Sequence, residues 1–121
     1  MRTASKIEWY APLVSAVLLA EQKVDRHFHP PVERLENEIV ITNQFGLHMR
    51  PAAMLARLAN RFHSNIWVTK DGVEVDGKRV MSLISLAAGA GAKLRSRIEG
   101  ADAAQAMQAL ERLIQSRFDE D

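Results

Sequence analysis

Along residues 37–121 the apolar residues change rhythm several times, and each change marks an element. Glu38 to Thr42 is a short β-branched run that predicts a strand. Met54, Leu55, Leu58 and Phe62 recur at helical spacing and predict a helix from about Met49 to Phe62. Pro51 suits its first turn, where the N–H that proline lacks has no intrahelical partner. Ile66 to Thr69 predicts a second strand, and Asp71-Gly72 is a hairpin signal leading into a third at Val73 to Val75. A short helix is expected around Val80 to Ala87, stopped by Gly89 and Gly91. In Lys93 to Glu99, Leu94, Ser96 and Ile98 alternate with charged residues, so one sheet face meets water. Asp102 reads as the N-cap of a last helix with Gln105 three residues on. The buried stripe of that helix is Ala103, Met107, Leu110, Ile114 and Phe118.

The order is β-α-β-β-α-β-α, and amphipathic helices of this number cover one sheet face only. The fold class expected is therefore α+β: an open-faced β-sandwich, a four-stranded antiparallel sheet with three helices on one face. RNA-recognition domains share part of this order, so order alone decides nothing about function. The strands lack the aromatic stacking pairs such domains use; Trp67 stands alone and reads as an edge or packing residue.

The first third follows no such rhythm. Trp9 to Ala20 is an apolar run interrupted by Pro12 and Ser15 and preceded by Arg2 and Lys6. It loosely resembles a secretory signal, but Glu8 abuts it and no A-x-A site follows. It is also short of the roughly 20 apolar residues that span a bilayer. The reading is a soluble appendage or an over-extended start of the reading frame. Arg26 to Pro31 reads as a linker because its paired prolines break helices and strands. His27 and His29 within it have no third or fourth ligand nearby to suggest a metal site. The division expected is an extension over residues 1–36 and a compact domain over 37–121.

Composition narrows the chemistry further. At 121 residues the chain is one domain with some surplus. A formal net charge of +1 gives no bulk attraction to nucleic acid or anionic membrane. The absence of cysteine excludes disulfides, thiolate catalysis and cysteine-bound metals, and fits a reducing compartment.

Candidate chemistry concentrates in Gly46-Leu47-His48-Met49-Arg50-Pro51-Ala52. His48 sits at or beside the start of the first helix, with Arg50 two residues on. Free N–H groups and the positive end of the helix dipole make that position an anion site. An imidazole beside an anion site has what a transient phosphohistidine requires.

These seven residues resemble the G-[LIM]-H-x-R-P-A phosphorylation motif of the HPr family, histidine-containing phosphocarriers of the bacterial phosphotransferase system. The resemblance extends over about Asn37 to Asp121, through the element order, the Gly91-Ala92 turn and Gly100. The acidic ending Phe118-Asp119-Glu120-Asp121 is more similar to the nitrogen-related NPr branch than to the sugar-transport carriers.

The resemblance implies that His48 accepts the phosphoryl group through Nδ1 and that Arg50 is the neighbouring cation. It implies a partner-docking surface of Leu47, Met49, Val80, Met81 and Ile84; for the last three, simple core packing is the competing reading. Phosphate would pass from phosphoenolpyruvate through Enzyme I to the carrier, and then to an Enzyme IIA. Such a protein is a cytoplasmic phosphocarrier rather than an enzyme, needs no cofactor or metal, and works as a monomer away from nucleic acid and membrane. The regulatory serine of many Gram-positive relatives is replaced here by Arg79, with Ser82 and Ser85 further along the helix. The alternative is a regulatory binding module whose His48 phosphorylation state controls other proteins.

Overall fold

The computed structural model describes residues 32–120. The apolar run Trp9 to Ala20, the histidines His27 and His29 and the Pro30-Pro31 break all lie outside the described residues. Strand β1 spans Glu33–Val40, helix α1 Met49–Ala59, β2 Asn65–Lys70, β3 Val73–Asp76, α2 Val80–Ser85, β4 Lys93–Gly100 and α3 Ala103–Gln115, with a short turn of 3-10 type at Arg117–Asp119. All pairings are antiparallel, in the order β1-β4-β2-β3. Ile39, Ile66, Val68, Leu94 and Ile98 line the inner sheet face, and Leu55, Leu83 and Leu110 from the three helices are buried with them in one core. The expected α+β sandwich is the observed one.

The outer face is charged and wet, as the alternation in β4 implies. Trp67 lies there on β2, an inner strand rather than an edge, opposite Arg97, whose guanidinium stands 5.7 Å from the ring centre. The β2–β3 hairpin closes through Asp71 and Gly72, both with positive φ (51° and 83°), as a two-residue primed turn demands.

Several expectations shift. Strand β1 starts at Glu33, and Glu33 to Glu36 pair with Gly100 to Arg97, so a domain start at Asn37 falls inside the strand. The signal is faint because Asn37 takes an inward position between Leu35 and Ile39, where its side chain donates to Glu111. Helix α1 ends at Ala59, short of Phe62. After α2 the left-handed residue is Ala87, with φ of 52°, and neither Gly89 nor Gly91 terminates the helix. Gly91 instead makes the turn into β4, its N–H donating to the Ile41 carbonyl at 2.7 Å.

Asp102 is not a side-chain cap of α3. Its carboxylate turns away and accepts the N–H groups of His63 and Ser64 (2.8 and 2.9 Å) and the Ser64 hydroxyl (2.5 Å). It therefore fastens the segment between α1 and β2 to the start of α3. The Ser64 hydroxyl and the His63 N–H hold this carboxyl below its ordinary range.

Candidate functional site

The segment between β1 and α1 is built from backbone contacts. Ile41 N–H donates to the Ala92 carbonyl, and Leu47 N–H donates to the Ala88 carbonyl (2.9 and 2.8 Å). Asn43, fully buried, closes the bend by donating to the Gly46 carbonyl at 2.7 Å. Gly46 has φ of +69°, and a Cβ there would lie 2.5 Å from the Ala88 carbonyl oxygen and 2.6 Å from the Gly89 Cα. Only glycine lets the two segments touch. This contact fixes where α1 begins.

His48 is the N-cap residue of α1, its carbonyl accepting the Ala52 N–H at 2.9 Å while its side chain makes no cap. The ring is therefore released outward, with 41% of the side chain exposed. Met49 and Arg50 supply first-turn N–H groups that have no partner within the helix, and Pro51 follows buried in the same turn. Arg50, 55% exposed, projects from the turn that carries His48.

A third side chain joins them from the far end of the sequence. Glu120 accepts from Arg50 Nη1 at 2.9 Å and from Asn43 Nδ2 at 3.0 Å, and its Oε2 lies 3.2 Å from His48 Nε2. Desolvation pushes the Glu120 carboxyl up, but the hydrogen bonds from Asn43, His48 and Arg50 outweigh it and leave the carboxyl below its ordinary value. The chain reaches this position through a left-handed turn. Arg117, Phe118 and Asp119 have φ of 55°, 56° and 58°, closed by bonds from Asp119 N–H to Ser116 and from Glu120 N–H to Arg117. Left-handed backbone costs L-residues about 1–2 kcal/mol each. Complete burial of Phe118 and a bond from Arg50 Nη1 to the Phe118 carbonyl (3.3 Å) hold it in place.

The expected docking residues separate by exposure. Leu47 is 4% exposed and packs into the core, while also forming part of the lining of the depression beside His48. Met49 and Met81 are open to solvent, whereas Val80 and Ile84 are half-buried against the core. Ile84 lines a shallow depression with His48, Phe45 and Ala87. Phe45, 70% exposed, stands edge-on to the His48 ring with centroids 6.2 Å apart. Sequence reasoning missed Phe45, Asn43 and Glu120. A bulky aromatic inside a polar loop was a signal for the first; nothing local marked the other two.

An exposed imidazole at a helix N-terminus, a guanidinium from the same turn and a carboxylate held between them form a site where negative charge is stabilised beside a nucleophilic ring. Comparisons with known proteins agree with this geometry. A family model described as "PTS HPr component phosphorylation site" matches residues 35–116. The phosphocarrier protein HPr of Xylella fastidiosa (strain 9a5c) is 44% identical over 87 residues, covering 72% of this chain and 98% of its own. The crystal structure of HPr-C-His from Thermoanaerobacter tengcongensis superposes with a TM-score of 0.70 at 41% identity, over 72% of this chain and 98% of that one. HPr from Bacillus anthracis gives a TM-score of 0.65 at 37% identity, over 67% and 96%. The chain belongs to the HPr family, the phosphocarriers of the phosphotransferase system.

Proposed function

We propose that His48 is the phosphoryl acceptor of this carrier, taking the group from Enzyme I and passing it to an Enzyme IIA. The observation that carries this is the convergence of His48 and Arg50 on one carboxylate, Glu120. The cluster already stabilises a negative charge beside the imidazole. Arg50 then contacts the phosphoryl oxygens with a charge-assisted fork, and the helix N-terminus adds its N–H groups and dipole. Positioning and charge supply most of phosphoryl-transfer catalysis, so no metal is needed at this protein.

Met49, Met81 and Phe45, with Val80 and Ile84 behind them, form the docking surface for donor and acceptor alike. Both proteins must approach the same histidine, so one apolar surface serves both. The monomer is the working unit of this reading. The nitrogen-related branch is assigned on the acidic ending Phe118 to Asp121 alone. The carrier would then act in the cytoplasm, where phosphoenolpyruvate is made; among the described residues no helix is long and apolar enough to cross a membrane.

Incubation with phosphoenolpyruvate and a cognate Enzyme I tests the reading. One acid-labile, base-stable phosphate is expected on His48, and an acid-stable phosphate would refute it. The apolar surface also favours a second reading, in which the free or phosphorylated form binds and controls other proteins. That reading predicts a changed target activity without loss of the phosphate to an Enzyme IIA.

A further inference from the structure

Glu120 meets the His48 ring at one nitrogen only. Its two oxygens lie 3.2 and 3.4 Å from Nε2, whereas Nδ1 makes no hydrogen bond among the described residues. A neutral imidazole carries one N–H and one lone pair, and an ionised carboxylate can only accept. The proton is therefore favoured on Nε2, which leaves the lone pair on Nδ1. The carboxylate is itself held by Asn43, which is fully buried, and by Arg50. Three consecutive left-handed residues, anchored by the buried Phe118, turn the chain so that Glu120 arrives behind the ring. A costly backbone kept for a surface ion pair alone would be poor use of it.

We infer that Glu120 is a positioning residue for phosphoryl acceptance: it holds His48 as the Nε2–H tautomer and so reserves Nδ1 for the bond to phosphorus. The inference rests on the reading of His48 as the acceptor. In the step itself, the Nδ1 lone pair forms the P–N bond. The bond from phosphorus to the donor breaks, and its electron pair stays on the donor. No proton leaves Nδ1, because none is there. The ring keeps its Nε2 proton and becomes cationic, and the Glu120 carboxylate offsets that charge. Transfer onward reverses the same events, returning the pair to Nδ1.

The test uses the full chain, labelled with 15N, at about pH 8.5, some two units above the ordinary imidazole pKa. Two-bond proton–nitrogen spectra of the ring should show the wild type almost wholly as Nε2–H. In Glu120→Gln the amide can turn a donor toward Nε2, and the share of the Nδ1–H form should rise several-fold. Single-turnover transfer from phosphorylated Enzyme I should slow about fivefold, as for loss of a half-exposed charge-assisted contact. Glu120→Asp should return both readouts toward wild type. An unchanged tautomer in Glu120→Gln, or a shifted tautomer with wild-type transfer, overturns the inference. If the wild type takes up no phosphate, the acceptor reading fails and takes the positioning role with it. That failure shows in the wild type alone and is distinguishable from failure in the variants.

Discussion

Two carboxylates flank helix α3, and they do opposite work. Asp102, just before the helix, is fed by two backbone N–H groups and a buried serine hydroxyl, none of which titrates in the ordinary range or leaves its place. Glu120, just after it, is fed by an imidazole and a guanidinium that are both largely open to solvent, with only Asn43 buried. Both carboxyls are held below their ordinary values, so a depressed pKa alone does not separate a fastener from a reactive site. The donors do. Donors fixed in the backbone make a clasp, and exposed cationic donors make a place that a second, incoming anion can also reach.

The sharpest way to break the contrast is at His48. His48→Ala should abolish phosphorylation by Enzyme I and phosphoenolpyruvate while leaving circular dichroism and the thermal midpoint near wild type, because the ring is not core. Labelling that persists in the mutant would remove His48 from the reading. Arg50 comes next. Transfer should fall in the order wild type, Arg50→Lys, Arg50→Ala, with the alanine variant slower by about 30- to 1,000-fold, as for loss of one electrostatic contact to a transferring group. Lysine keeps the charge but not the fork. Equal rates for the three proteins would leave the helix N-terminus to carry the electrostatics alone.

At the other end of α3 the effect should move from rate to stability. Asp102→Asn should destabilise the fold by about 1–3 kcal/mol, since the buried Ser64 donors lose a charged acceptor. Transfer rates, measured below the lowered midpoint, should stay at the wild-type value. The pH dependence follows the same carboxyl. Its folded pKa lies below the unfolded one, so as pH falls the unfolded chain binds the proton first. The stability it contributes is thus present above the unfolded value, about 4, and lost as pH drops through the folded value. Denaturant midpoints between pH 5 and 2 should fall less steeply for Asp102→Asn than for the wild type. The smallest effect is expected from removing residues 1–31, which should leave the thermal midpoint and phosphorylation almost unchanged. Removing 1–36 should lower the midpoint, because Glu33 to Glu36 pair with β4.

What the sequence made legible follows from how local each signal is. The hairpin at Asp71-Gly72, the alternation in β4 and the helix opened by Pro51 depend on neighbours within a few residues, and each stands as expected. The register of β1 was harder to see, because Arg34, Glu36 and Glu38 face water and Asn37 sits where an apolar residue would advertise a strand. Leu47 is more deeply buried than its place in the motif suggests, for a related reason. Its neighbour in sequence is the exposed His48, but a backbone bond to Ala88, 41 positions away, sends its side chain inward. Glu120 lies 72 residues from His48 and meets it only through a turn made by Arg117, Phe118 and Asp119, of which only Asp119 is of a type that readily bends left-handed. Contacts of that range are set by the packed fold and leave no trace in periodicity.

Gly46 has one more consequence. Because its bare α-carbon rests against Ala88 and Gly89, the histidine is located by main chain pressed on main chain, braced by the buried Asn43 amide. The side chains around it, Phe45, Met49 and Met81, are free of that duty. A lineage can therefore exchange them one at a time, retuning which proteins are recognised, without disturbing the chemistry at the imidazole. Position 46 has no such latitude: any replacement there would alter recognition and reactivity together.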